Sequence, residues 1–332
     1  MTDHSPKPSD APTALPRRTF IRGVIAGGGL LAASVPLSAA ETLMADSIAT
    51  KPAFRGPNVV LIRFGGGARR KETIDPQSTY SPFLCRQFVK SGTLFNDMEI
   101  AQIEGVNTSH GEGTLNIVTG KHDKYKDAEG KLTDKQIEER KKELAKWEKV
   151  DHRTKGDDRQ GPELETFWQR WREYYGDSGL VNPRGDRLLT ELTVRALKEL
   201  RPRLIMVNYQ DCDYVHWGNL SHYTRAVSVM DEGLRQIVET VEADEEYRNN
   251  TIFAVVPDCG RDSNPFADVP CQHHFGSRSA HEIFALFVGA GVPRDQVVDR
   301  RVDQSQVAAT LGRLMGFKAE FAEQRILEEA IG

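Results

Sequence analysis

The sequence predicts an α/β fold: a doubly wound, mostly parallel sheet with a helical cap inserted over one edge. Three observations predict it. Continuous apolar runs stop abruptly at glycine or polar residues, as buried parallel strands do. Amphipathic helical stretches alternate with those runs, as crossovers between parallel strands require. Chemically active side chains gather just after the runs, where open α/β sheets bind ligands.

The elements follow in order. "PNVVLIRFGGG" (57–67) is an apolar strand that ends in glycines. "GDRLLTELTVRALKELRPR" (185–203) is a helix with Leu188, Leu192, Ala196 and Leu200 on one side. "RLIMVNY" (203–209) is a second buried strand. "SHYTRAVSVMDEGLRQIVETVE" (221–242) places Ala226, Val227, Met230, Leu234, Ile237, Val238 and Val241 at helical spacing. "NTIFAVVPDCG" (250–260) and "EIFALFVGAGV" (282–292) are two more strands. "VDQSQVAATLGRLMGF" (302–317) is a closing helix with Asp303 as its expected cap. The strands ending at Phe64, Tyr209, Pro257 and Val288 are expected in one sheet, their polar ends opening on the same edge.

Residues 121–186 depart from this alternation. They are highly charged and hold the helix-like "TDKQIEERKKELAKWEKV" and the aromatic run "ETFWQRWREYYG". Glu138 and Lys142 are spaced for an i,i+4 pair. We read the segment as a cap on the core, with Trp147, Trp168, Trp171, Tyr174 and Tyr175 either anchoring it or lining a substrate pocket.

Composition bounds the function. A chain of 332 residues, 39% hydrophobic, has material for a sizeable core. Its net charge of −4 gives no broad basic surface, so nucleic acid is not an expected partner. Beyond the first forty residues no stretch is long and apolar enough to span a membrane. Four cysteines, Cys85, Cys212, Cys259 and Cys271, have no framework spacing. No Gly-x-Ser-x-Gly elbow and no Walker motif appears.

"LPRRTFIRGVIAGGGLLAASVPLSAAETLMA" (15–45) has paired arginines, Arg17 and Arg18, then an apolar run and a small-residue stretch. It resembles a twin-arginine export signal. That resemblance implies a signal over 1–40, a linker over 41–56 and a domain over 57–332. It also implies the twin-arginine export machinery as a partner, a periplasmic or otherwise exported location, and no stable membrane span after signal removal. Residues 1–40 carry a net +2, which leaves −6 on the rest of the chain.

Candidate chemistry lies after the strands. Asp211, Asp213 and His216 follow "RLIMVNY", and Asp258, Cys259, Arg261 and Asp262 follow "TIFAVVP". "GGGARR" after Phe64 is either a tight turn or an anion cradle with Arg69 and Arg70. Asp258 with Arg261 is either a structural ion pair or part of a site.

Six motifs in order are similar to the alkaline phosphatase superfamily, which includes sulfatases, nucleotide phosphodiesterases and cofactor-independent phosphoglycerate mutases. "NVVLIRFGGGARR" looks like its first strand, and "SHGEGTLNIVTGKHD" like its nucleophile helix. "VNYQDCDYVHWGN" looks like an Asp-x-x-x-Gly-His loop, and "TIFAVVPDCGRD" like the strand leading to Asp-His-Gly. "HHFGSRSAHEIFALFVGAGV" looks like the last metal histidine and its strand, and "QSQVAATLGRLMGF" like the closing helix.

The resemblance implies a divalent metal, zinc or manganese, held by Asp213, His216 and a later histidine, His274 with His281 in reserve, with Asp258 and Cys259 beside it. It implies a nucleophile at the position of His110, with the hydroxyls of Thr108 and Ser109 nearby, and an anion-binding role for Arg69, Arg70 and Arg261. The expected activity is metal-dependent hydrolysis of a small-molecule phosphate or sulfate ester. The alternative is a non-catalytic periplasmic binding protein on the same fold. Four departures bear on the choice. The first strand ends without an acid, Asp-Cys stands for Asp-His, His110 occupies the nucleophile position, and no glycine precedes His216.

Overall fold

The computed structural model describes residues 56–102, 106, 108–122, 134–135, 137–138, 142, 161–175, 185–217, 219–263, 271–273, 277–323 and 325–332. The expected export signal over 1–40, most of the expected linker and most of 121–186, including Trp147, lie outside them. Among the described residues the strands are β1 (Asn58–Phe64), β2 (Gly92–Glu99), β3 (Leu204–Asn208), β4 (Thr251–Pro257), β5 (Glu282–Gly289), β6 (Gln296–Val298) and β7 (Val302–Asp303). They form one sheet in the order β3-β1-β4-β5-β2-β6, with β7 also paired to β2. β1 runs parallel to β3 and β4, and β2 runs parallel to β6 and β7. The fold is therefore α/β with a mostly parallel sheet, as the apolar runs predict.

One expectation is corrected. β5 is antiparallel to both β4 and β2, so its Val288 end lies at the edge opposite to Phe64 and Pro257. A parallel β5 beside β4 would need a crossover back along the sheet. Between β4 and β5 the one described helix is the single turn Arg278–His281. The chain instead turns at the polar edge and re-enters there at Glu282.

Alternation along β1 feeds two cores, because successive strand side chains point to opposite faces. Val60, Ile62 and Phe64 pack with the helix Leu220–Glu242, through Tyr223, Val227, Met230 and Leu234. Val59 and Leu61 pack on the other face with Ile117, Val307 and Leu311 of the helices His110–Thr119 and Gln306–Leu314. Each fully buried Leu, Ile or Met contributes about 1.5–3 kcal/mol, so these two layers dominate stability. The long helix starts at a capping box: Asn219 Oδ1 accepts from Ser221 N at 3.0 Å, and Asn219 N donates to His222 Nδ1 at 3.2 Å.

The helix Asp186–Glu199 is apolar on two sides. Leu189, Val194 and Leu197 meet the main core. Leu188, Leu192, Ala196 and Leu200, the side apparent in the sequence, meet Phe167 and Trp171 of the helix Gly161–Tyr175. The Arg195 guanidinium stacks 3.9 Å from the Trp171 ring centre. At the closing helix the N-cap residue is Ser305, not Asp303; Asp303 Oδ1 accepts from Ser305 N at 2.8 Å and pairs with His122 Nε2 at 2.7 Å. No helix among the described residues is long and apolar enough to cross a membrane.

Candidate metal centre

The carboxyl ends of β1, β3 and β4 bring the polar motifs together. After β1 the chain turns through Gly66 and Gly67, with φ of 74° and 73°, a region that L side chains avoid. Gly65 is fixed by space: a Cβ there would lie 2.0 Å from the Tyr209 carbonyl oxygen. The triple glycine is thus a tight turn, and it leaves no room for an acid at the end of β1. Asp213 sits in the seven-residue 3-10 segment Asp211–Trp217 after β3, and Asp258 follows β4 directly. Buried Gln304 braces that strand end by donating Nε2 to the carbonyls of Pro257 and Asp258, both at 2.9 Å. His110 opens the helix His110–Thr119, whose N-cap Ser109 accepts from Glu112 N at 3.3 Å.

His110 bridges the two acids. Its Nδ1 lies 2.7 Å from Asp258 Oδ2, and its Nε2 lies 2.9 Å from Asp213 Oδ1. The same Asp213 oxygen meets His216 Nε2 at 2.8 Å, Arg261 Nη2 at 2.7 Å and His273 Nε2 at 3.6 Å. Donor atoms of His110, Asp213, His216 and His273 all lie within 4.8 Å of one another. His110, Asp258 and Cys259 form a second such group, with Cys259 Sγ 3.7 Å from His110 Nδ1. Three imidazoles and a carboxylate are a donor set that suits zinc and other divalent ions of its class. A pocket of about 440 Å³ opens beside them, lined in part by Arg63, Asn208, Gln210, Thr114, His110 and Asp213.

Electrostatics follow from the contacts. Burial opposes a charge on His110, but its hydrogen bonds to Asp213 and Asp258 outweigh that and push its pKa up to about 12. Both ring nitrogens therefore donate. Burial works against ionised Asp213, yet His110, His273 and Arg261 hold its carboxyl well below the usual range. Asp258 is held down in the same way, against burial, by the His110 hydrogen bond and the Arg63 charge. Burial lowers the His216 pKa, against the Asp213 charge, and so favours the neutral form that ligates a metal. Burial and Asp258 push the Cys259 thiol up to about 11.

The sequence-predicted residues divide. Asp213, His216, Asp258, Cys259, Arg261 and His110 come together. His274 lies outside the described residues, while its neighbour His273 enters the cluster. His273 is clamped to Thr108: the Thr108 hydroxyl donates to His273 O at 2.6 Å and His273 Nδ1 donates to Thr108 O at 3.0 Å. His281 is elsewhere; buried, it donates Nδ1–H to the Ile100 carbonyl at 2.8 Å. Thr108 and Ser109 stand next to His110, with their hydroxyls in the clamp and the helix cap. Arg69 and Arg70, expected to cradle an anion, are both paired with acids. Arg69 pairs with Glu72, its Nε 2.7 Å from Oε2. Arg70 pairs with Asp97 at 3.0 Å and Glu282 at 3.1 Å. All four cysteines are free thiols.

Two residues of the site are absent from the sequence reading. His273 was half visible as one of a histidine pair, His273 and His274. Arg63 was visible as the lone charge inside an apolar strand, a placement that demands a partner. It is 3% exposed. Its Nη1 lies 3.4 Å from Asp258 Oδ2, donates to His110 O at 3.1 Å and also reaches Thr114 Oγ1.

No protein-family model and no curated protein matches the sequence. Solved structures do match. Wild-type alkaline phosphatase PafA aligns with a TM-score of 0.57 at 10% identity, over 84% of this chain and 100% of that one. A protein in the alkaline phosphatase superfamily from Vibrio parahaemolyticus aligns with a TM-score of 0.51 at 13% identity, over 84% and 71%. A 2-O GAG sulfatase aligns with a TM-score of 0.50 at 11% identity, over 83% and 74%. The chain has the fold of the alkaline phosphatase superfamily.

Proposed function

We propose that this protein is an exported, metal-dependent hydrolase of phosphate or sulfate esters. One observation carries the reading: Asp213, His110, His216 and His273 present their donor atoms within 4.8 Å of one another, beside a polar pocket at the strand ends. These four would hold the ion, zinc or manganese, which supplies Lewis-acid polarisation of the ester oxygen when bound. Arg261 fixes Asp213, and Asp258 orients the His110 ring. Arg63, Asn208, Gln210 and Thr114 line the space for the ester. With the Ser109 and Thr108 hydroxyls engaged, attack by water suits the site better than a covalent serine or threonine intermediate. The fold supports the class of reaction, since its structural neighbours include a phosphatase and a sulfatase. The paired Arg17 and Arg18 support export.

The test is metal analysis of the purified protein with a phosphate- and sulfate-ester screen, before and after a chelator. Bound metal with chelator-sensitive turnover is the expected result. The missing first-strand acid and the engaged hydroxyls favour a second reading, a non-catalytic ester-binding protein. Bound metal without turnover across the screen would select it.

A further inference from the structure

Two groups of ligand-type side chains share His110, yet their surroundings differ. The group with Asp213, His216 and His273 is part-exposed and meets the pocket. The group with Asp258 and Cys259 is sealed: both residues are 0% exposed. Every accepting position on Asp258 is taken. Oδ1 accepts from Gly67 N at 3.2 Å and Cys259 N at 2.9 Å. Oδ2 accepts from His110 Nδ1 at 2.7 Å and faces Arg63 Nη1 at 3.4 Å. A carboxylate has about four lone-pair sites, and these four donors fill them.

Arg63 is built in rather than draped over. It leaves the middle of the sheet on the face of Val59 and Leu61, toward the helix His110–Thr119, where His110 O and Thr114 Oγ1 hold it. Its Nε and Nη2 each lie 2.9 Å from where a Gly65 Cβ would be. The guanidinium therefore covers the end of β1, the place from which a further acid would have to reach the Asp258 group.

We infer that Arg63 is the resident cation of the Asp258 half of the site, so that His110, Asp258 and Cys259 take no metal of their own and the protein holds one divalent ion, not two. This rests on the metal-dependent reading above. A buried carboxylate needs a counter-charge. Here a side chain that cannot dissociate supplies it, and an exchangeable ion serves only the open half. Cys259 then stays a thiol beside the site instead of a ligand.

The test uses the wild-type protein and two variants, read by metal count, spectrum and melting temperature. Loaded with cobalt(II), the wild type should bind about one equivalent and show no thiolate-to-cobalt charge-transfer band, because Cys259 is not a ligand. Arg63→Met, chelator-treated, should melt roughly 10 °C lower, since a buried acid has lost its partner. Arg63→Lys should recover part of that loss by restoring a charge. Two equivalents in the wild type, or a charge-transfer band, would overturn the inference and leave the proposed activity standing. No bound metal would overturn both. An Arg63→Met melting point within about 2 °C of wild type would remove the counter-charge role. The wild-type count and spectrum decide the matter even if Arg63→Met does not fold.

Discussion

His110 donates from both ring nitrogens, to Asp258 and to Asp213, and this doubles as a stability device. Its folded pKa, about 12, lies above the ordinary 6.5. A group shifted that way contributes stability fully below the ordinary value and loses it as pH rises toward the folded one. Chelator-treated protein should therefore lose stability from about pH 7 upward, by at most about 1.4 kcal/mol per pH unit for one proton. His110→Gln should flatten that slope in denaturant titrations at pH 7, 8 and 9; an unchanged slope would remove His110 as its source. At this scale the sequence was legible where a residue type is rare in its setting. Asp213 and His216 just past an apolar strand announce chemistry. The place of His273 in the cluster does not, because it depends on two hydrogen bonds to Thr108, 165 residues away.

The end of β1 shows how an element can decide a site. Gly65 packs against the Tyr209 carbonyl so closely that a Cβ would sit 2.0 Å from it. Gly65→Ala should cost about 3 kcal/mol or more in chemical denaturation, as backbone must move to admit one methyl. Wild-type stability in that variant would mean the strand ends are looser than described. The helix Gly161–Tyr175 makes a different prediction. Trp171 packs on Leu192 and under Arg195. Trp171→Ala should lose about 3 kcal/mol of stability and keep its full metal content; a loss of metal would tie that helix to the site. The periodicity of the helix Leu220–Glu242 identified its buried face, since each of the seven apolar positions read from spacing is buried. Strand direction was not legible. β5 is as apolar as β4, and an apolar run looks the same in either orientation; the pairing of β5 with β4 is antiparallel. That reversal also explains His281. It precedes β5 at the polar edge and bonds Ile100 O, beside the end of β2.

Across the whole molecule, export and catalysis make separate claims. A twin-arginine signal predicts that the pair Arg17→Lys and Arg18→Lys keeps the protein in the cytoplasm, checked by fractionation; an unchanged exported fraction would refute that route. The same signal fits a protein that acquires its metal while folding inside the cell. The central claim is narrower: a divalent ion held at the strand ends by Asp213 with His110, His216 and His273. Mutual repulsion of Asp213 and Asp258 is relieved here by a proton on His110, by Arg63 and by Arg261, and metal binding exchanges that proton for an ion. The direct measurement is metal content per chain of Asp213→Ala against wild type, both purified folded and equilibrated with the same low concentration of zinc. The account predicts about one ion per chain in the wild type and less than about a tenth of that in Asp213→Ala. Equal metal content in the two proteins would contradict it.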